Sequence, residues 1–390
     1  MKLLYKLALV LLLIGPNTVW LDFQYTSLTF LFGLGFLGLR YSKNDIFNFC
    51  LLLILVGLTY LWNFGDVTVL WLSFCVKIFF YLGAVYFIFN QLIKIVTEKT
   101  FYRILLLTAV IDATTVWLMF FQSTRQYILD FVVYNDEATY FLMKGIRFAD
   151  IAIGGQSGTS FFFGMAIILL RNYERIFGTS LVISSFVRIL LYSSGLLCGR
   201  FIFIVLLFEI LVSSARIKLL LTFIIGLTFS WLNSRVGTDL PLMSWMLEPL
   251  MNIAEGKQLS ESTSILGSMW LWPDNLILGE GSLARNVIGV KTDLGLVRLT
   301  WGFGILGLIL MMAPFVAFML RLLSLTAIYK KYAFILIVYG LLFLNKELWL
   351  ASRTLLPFFL IYLKILIHYG KYRHIQSSQV HQREVVLGTY

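Results

Sequence analysis

The chain has 390 residues, of which 59% are hydrophobic and only 13% charged, and its mean hydropathy is +0.87. Globular chains carry nearer a quarter charged residues, so this composition excludes an ordinary water-soluble core and points to a helical bundle in lipid. The formal net charge of +11 gathers in short loops between apolar runs, where it reads as a topology signal rather than a surface for nucleic acid.

In chain order, MKLLYKLALVLLLIGP has the basic start and apolar run of a signal peptide. It lacks an A-x-A-like cleavage site, so it reads as a retained first span. Apolar runs then predict about twelve spans, at 3–15, 24–39, 46–64, 67–89, 103–121, 155–170, 176–193, 200–213, 217–232, 297–320, 332–350 and 354–369. Alternate loops carry most of the basic residues, among them Lys2, Lys6, Lys94, Arg171, Arg175, Arg321, Lys330, Lys331 and Arg373, with few acids. Such loops stay on the cytoplasmic side, which places both termini inside. The domain organisation read from this is a single transmembrane unit over 1–370 and a polar, loose tail over 371–390. The three cysteines, Cys50, Cys75 and Cys198, form no CxxC pair and suggest neither a disulfide framework nor a zinc site.

Among the charges that fall inside predicted spans are Lys77, Asp112, Arg188, Glu209 and Lys364. Each costs roughly 2.5–3.5 kcal/mol at a helix centre on insertion scales, so each needs a partner, a route to water or a function. Lys364 lies near a cytoplasmic end and is expected to snorkel. Lys77 and Asp112 are candidates to pair, and Arg188 falls near the outer side on these boundaries.

The outer loops are unequal. Residues 122–154 form a medium loop and residues 233–296 a long one. Long loops within a compact fold tend to be functional. PLMSWMLEPLMNIAEGK (241–257) reads as an amphipathic helix suited to a membrane surface. SESTSILGSMWLWPDNLILGEGS (260–282) follows, with turns signalled at Pro273-Asp274 and Gly279-Glu280-Gly281.

The long loop re-enters the membrane through TDLGLVRLTWGFGILG (292–307). Thr292 or Asp293 can cap the helix start. Gly295, Arg298 and Gly302 share a face at i, i+3, i+7 spacing. Gly302, Gly304 and Gly307 would let another helix approach closely. An arginine fork on that face suits phosphate oxygens. Arg200 in SSGLLCGRF sits at a second outer helix end, and LNKELWLASRT places Lys346, Glu347 and Arg353 at a third. Together they describe a basic outer rim, a setting for a lipid-linked phosphate.

These residues carry a resemblance. LGSMWLWPDNLILGEGS followed by TDLGLVRLTWGFGILG resembles the paired signature of bacterial polysaccharide repeat-unit polymerases, the Wzy-type O-antigen and capsule polymerases. The matching positions are Met269, Pro273, Gly279, Gly281, Asp293, Gly295, Arg298, Gly304 and Gly307, with Lys346 and Arg200 similar to basic residues near other spans of the family. Glu280 stands where some relatives carry aspartate. The resemblance implies an all-α polytopic membrane protein of the GT-C-type polymerase/ligase architecture, in the bacterial inner membrane. Its implied activity moves a growing glycan from undecaprenyl pyrophosphate onto another lipid-linked repeat unit at the outer face.

The candidate residues follow from that chemistry. Arg200 and Arg298, with Lys346, would stabilise the leaving pyrophosphate. Asp293 and Glu280 are candidates for a base on the acceptor hydroxyl. Arg353, Arg285, Trp270 and Gly281 are candidates for substrate binding, and Trp270, Trp272 and Trp301 could stack on sugars or anchor the interface. No acidic cluster resembles a metal site, and no metal or cofactor is expected. Expected partners are undecaprenyl-pyrophosphate-linked oligosaccharides and the bilayer, with a chain-length regulator and a flippase as further partners and no nucleic acid. An O-antigen ligase shares the architecture, but ligases of this kind use a histidine in the long outer loop, and residues 233–296 hold none. A transporter or flippase should show two repeated halves, which this chain lacks. A sensor or structural role leaves the basic rim without a use.

Overall fold

The computed structural model describes residues 2–18, 20–37, 41, 43–64, 67–132, 136–144, 148–149, 156–212, 252, 256, 270–283, 294–322, 324–346, 348–352 and 354–387. Among these the protein is all-helical, without strands beyond two isolated bridges. The helices are α1 (Lys2–Ile14), α2 (Phe23–Leu37), α3 (Lys43–Trp62), α4 (Val69–Leu92), α5 (Glu98–Phe120), α6 (Gln122–Phe131), α7 (Asp136–Lys144), α8 (Gln156–Phe177), α9 (Leu181–Cys198), α10 (Ile202–Val212), α11 (Gly295–Leu322), α12 (Ala327–Leu344) and α13 (Leu355–Leu387). Five described stretches are long and apolar enough to cross a membrane: Asp45–Trp62, Val69–Leu92, Glu98–Phe120, Leu181–Cys198 and Ala327–Leu344. The chain is therefore a helical, membrane-embedded protein. The predicted span at 217–232 lies outside the described residues, as does the amphipathic helix at 241–257 apart from Asn252 and Gly256.

Local chemistry sets the helix ends. Thr68 caps α4 by accepting from the Trp71 amide at 3.3 Å, and Thr97 caps α5 through the Thr100 amide at 3.4 Å. Gly178, at φ +65°, closes α8, and its amide donates to the Glu174 carbonyl at 3.0 Å. Within the medium loop, α6 and α7 occupy residues 122–131 and 136–144. The last helix does not stop at 369 and yield to a loose tail: α13 continues to Leu387.

At the centre lies α8, which packs on α5, α9, α10, α12 and α13. Its Phe161, Phe162 and Phe163 are fully buried. Phe161 stacks on Phe343 of α12 with centroids 4.2 Å apart and 11° between planes. Gly164 makes this approach possible, since a Cβ there would stand 2.0 Å from the Tyr339 hydroxyl. By contrast α3 turns Leu53, Ile54, Leu58 and Leu61 outward. An exposed apolar stripe on a hydrophobic helix is the face that meets lipid.

The two ends of the bundle differ. At one end basic residues meet a few acids from distant helices: Arg373 binds Glu98 at 3.0 Å, Tyr329 also donates to Glu98, and the Arg103 Nε donates to the Tyr173 hydroxyl at 3.0 Å. The opposite end is tied by uncharged groups. There Gln24 donates to the Leu12 carbonyl at 2.8 Å and to Thr354 Oγ1 at 2.9 Å, joining α1, α2 and the start of α13.

Lys364 does not reach for the membrane surface. Its ammonium binds Asp45 at 2.9 Å and lies 4.0 Å from the centre of the Tyr86 ring, while Asn90 donates to the other Asp45 oxygen at 3.0 Å. Buried pairing replaces snorkelling because α3, α4 and α13 bring a carboxylate and an aromatic face to it.

Candidate functional site

At the end away from the basic cluster, α11 is not one continuous helix. Gly304 has φ +65° and ψ −173°, far from helical values, and divides it into two half-helices. A break exposes carbonyls at the end of the first half and amides at the start of the second, and in a low-dielectric setting each unpaired group is costly. Four of these groups take partners from outside the helix. The Glu280 amide donates to the Trp301 carbonyl at 2.8 Å, and the indole N–H of buried Trp71 donates to the Gly302 carbonyl at 2.8 Å. The Ile305 and Leu306 amides donate to the Leu276 and Ile277 carbonyls at 2.8 and 3.1 Å.

The partner of the break is the segment WLWPDNLILGEGSL (270–283). It is folded by its own sequence. Asn275 Oδ1 accepts from the Leu278 amide at 3.1 Å, and the Asn275 carbonyl accepts from Gly279 at 2.9 Å. Glu280 Oε1 accepts from the Asp274 amide at 2.9 Å and closes the turn. Gly279 and Gly304 lie backbone to backbone. A Cβ on Gly279 would stand 2.5 Å from the Gly304 nitrogen, and one on Gly304 would stand 2.1 Å from the Ile277 oxygen. Both also hold positive φ, which a side chain disfavours. The sequence pattern presents Gly304 as part of a helix-packing surface; in the structure it is the break itself. A glycine next to apolar residues continues a helix readily enough that only the docked carbonyls decide the matter.

The candidate residues sort by place. Arg298 and Gly302 do share a face, and that face meets Leu283: the Arg298 Nε donates to the Leu283 carbonyl at 3.2 Å, and a Cβ on Gly302 would stand 3.2 Å from a Leu283 methyl. Gly281 holds φ +63° against Val67 and Asn63, and its carbonyl accepts from the Thr68 amide at 3.1 Å, fixing the segment to the α3–α4 connection. Trp270 and Trp272 are exposed with ring centroids 6.0 Å apart. Trp301 is not available for stacking on a sugar: it is buried, and its indole N–H donates to the Leu271 carbonyl at 2.9 Å.

Arg200 belongs to the turn between α9 and α10. Ser160 shapes this turn, donating to the Gly199 carbonyl at 2.9 Å and accepting from the Ile202 amide at 3.1 Å. The next residue, Phe201, packs on Phe343 with centroids 4.7 Å apart, close to the end of α12, where exposed Lys346 follows. Arg200 and Lys346 therefore flank one end of α12, whereas Arg298, Glu280, Gly281 and Trp270 belong to the docked segment and the first half of α11. Asp293, Arg285 and Arg353 lie outside the described residues.

One group of charges was only half legible. Arg188 is not near the end of α9 that lies away from the basic cluster. It lies in the first half of α9 and binds both Glu174 oxygens at 2.9 and 2.7 Å, with Glu209 of α10 at 3.3 Å from its Nε. Arg171 binds the other Glu209 oxygen at 3.2 Å, and the Tyr192 hydroxyl donates to Glu209 at 3.0 Å. Two arginines and two carboxylates thus neutralise one another within α8, α9 and α10, which answers the cost of placing them there. The available signal was spacing: Arg171 and Glu174 are i, i+3, and Arg188 and Tyr192 are i, i+4.

The fold defines an all-helical membrane-embedded protein with a broken helix sealed by a docked loop. The chain matches no known family model, no curated protein and no solved structure.

Proposed function

We propose that this protein is a membrane glycosyltransferase that polymerises polyprenyl-pyrophosphate-linked repeat units. In this reading about twelve spans of GT-C-type architecture lie in a bacterial cytoplasmic membrane, with both termini inside. The resemblance to repeat-unit polymerases rests on two sequence segments, and the observation that supports it is that those segments pack together. Residues 270–283 dock onto α11 at Gly304 through backbone hydrogen bonds, so motif residues separated in sequence share one place.

In the reaction an acceptor sugar hydroxyl attacks the anomeric carbon of the donor glycan. The bond from that carbon to the pyrophosphate oxygen breaks, and polyprenyl pyrophosphate leaves with the electron pair. Arg298, held by the Leu283 carbonyl, with Arg200 and Lys346, is assigned to the developing phosphate charge. Asp293 is assigned to take the hydroxyl proton. Glu280 is the weaker candidate for that step, because its carboxylate closes its own turn. Arg285, Arg353, Trp270 and Gly281 complete the substrate-binding assignment. The flippase and chain-length regulator remain partners of the proposal.

Deletion followed by gel analysis of surface glycan tests it. One attached repeat unit where wild type gives a ladder is the expected result. A full ladder in the deletion strain overturns the proposal, and loss of even the single unit transfers the reading to a ligase.

A further inference from the structure

Between α5, α8 and α9, at the basic end of the bundle, a groove encloses about 400 Å³. This is within the size range of small-molecule sites. It lies at the opposite end of the bundle from the docked loop and depends only on the protein's being in a membrane.

Its chemistry is graded along the helix axis. On α5 the lining residues Lys99, Arg103, Leu106, Leu107 and Val110 fall at i, i+4, i+7, i+8 and i+11, a single stripe that begins with two cations and continues in aliphatic side chains. On the facing wall Ser180 brings a hydroxyl to the cationic end and Ile183 and Val187 are apolar, while the Ser184 hydroxyl between them donates to Glu174. From Lys99 to Val110 the helix rises about 16 Å, close to half of a ~30 Å hydrocarbon layer. The groove therefore has the length of one leaflet, with its charge at the surface. Leu107 and Ile183 are 55% and 65% exposed, so its side is open to acyl chains.

The charge balance at the mouth is positive. Glu98, beside Lys99, is engaged elsewhere by Arg373 and Tyr329. Glu174, which contacts Ser184 behind the groove, is held by Arg188. The Arg103 Nε donates to the Tyr173 hydroxyl, which fixes the plane of the guanidinium. Lys99 and Arg103 are like charges one turn apart, an unfavourable pair that a bound anion relieves. A guanidinium and an ammonium beside the Ser180 hydroxyl match phosphate oxygens.

We infer that this groove is a binding site for an anionic phospholipid of the adjoining leaflet, with the phosphate between Lys99 and Arg103 and an acyl chain along Leu106, Leu107, Val110 and Val187. Basic pockets between membrane helices on one side are where lipid headgroups are held.

The test uses the full chain in detergent, titrated with phosphatidylglycerol or phosphatidylcholine of the same acyl chains and read by native mass spectrometry. The expected result is at least tenfold tighter retention of phosphatidylglycerol. Lys99→Gln/Arg103→Gln should reduce that preference to about twofold or less, with an unchanged melting temperature showing that the bundle is intact. Should the double substitution lower the melting temperature, Lys99→Gln alone, on an exposed side chain, carries the same comparison. Val187→Trp, which fills the apolar half, should weaken phosphatidylglycerol while the cations remain. Equal retention of the two lipids by wild type, or a preference that survives neutralisation of the cations, overturns the inference. So does displacement of the lipid by inorganic phosphate together with indifference to Val187→Trp, which would mark a site for free anions. Loss of glycan polymerisation in the cell would bear on the function proposed above and leave this result standing.

Discussion

Replacing Gly304 with alanine attacks a backbone position on which docking of the loop depends. An added Cβ would stand 2.1 Å from the Ile277 oxygen, 2.3 Å from its carbonyl carbon and 2.5 Å from the Leu278 nitrogen, all backbone atoms that no rotamer change can move aside. The φ of +65° with ψ −173° lies in a region that is almost exclusively glycine's, and strain there costs about 1–3 kcal/mol. Relief requires the loop to retreat, which gives up the bonds from Glu280 to Trp301 and from Ile305 and Leu306 to Leu276 and Ile277. At about 0.5–1.5 kcal/mol net for each of three bonds, the total destabilisation of the docked state is roughly 3–7 kcal/mol. Hydrogen exchange read by mass spectrometry on peptides covering 276–283 and 301–307 reports this directly, because a tenfold change in protection is about 1.4 kcal/mol. Exchange at the Glu280, Ile305 and Leu306 amides should rise at least about a hundredfold. Gly57→Ala is the control, since a Cβ there meets nothing within 4 Å. Wild-type protection in Gly304→Ala would refute the reasoning, for it would mean that the break and the loop do not hold each other.

Trp71→Phe keeps the ring contact with Phe303 but removes the donor to the buried Gly302 carbonyl. It should lower stability by about 1–3 kcal/mol, seen as a lower melting temperature in detergent, and an unchanged melt would mean that another donor caps that carbonyl. Glu209→Gln leaves Arg171 and Arg188 without the carboxylate they share and should cost about 3–5 kcal/mol, whereas Asp130→Asn, on an exposed helix, should change stability by no more than about 0.5 kcal/mol. Equal melting of the two variants would show that the buried network contributes nothing. Arg298→Lys preserves charge but loses the planar fork. On the proposed function it should reach the membrane at wild-type level yet lose most polymer, and a normal glycan ladder from Arg298→Ala would remove Arg298 from catalysis.

Much of this protein is determined locally and was legible in order along the chain. Long apolar runs become helices because the backbone must satisfy its own hydrogen bonds in lipid. Asn275, Gly279 and Gly281 turn the chain through their own side chain or their freedom of φ, so the turns at 273–281 were readable. The lateral face shared by Arg298 and Gly302 was also readable, because helical spacing alone sets it. What local spacing does not contain is the identity of the neighbour. Gly304 interrupts α11 because the Leu276 and Ile277 carbonyls are present to receive the amides that the break releases. Arg188 became a buried pair because α8 and α10 present Glu174 and Glu209 to it, and Lys364 became one because Asp45 meets it across the bundle. Trp301 was an equally good candidate for a sugar platform or an anchor until the Leu271 carbonyl claimed its indole N–H. In each case a polar or backbone group in a medium of low dielectric must find a partner, and only the packing of helices distant in sequence decides which partner is within reach.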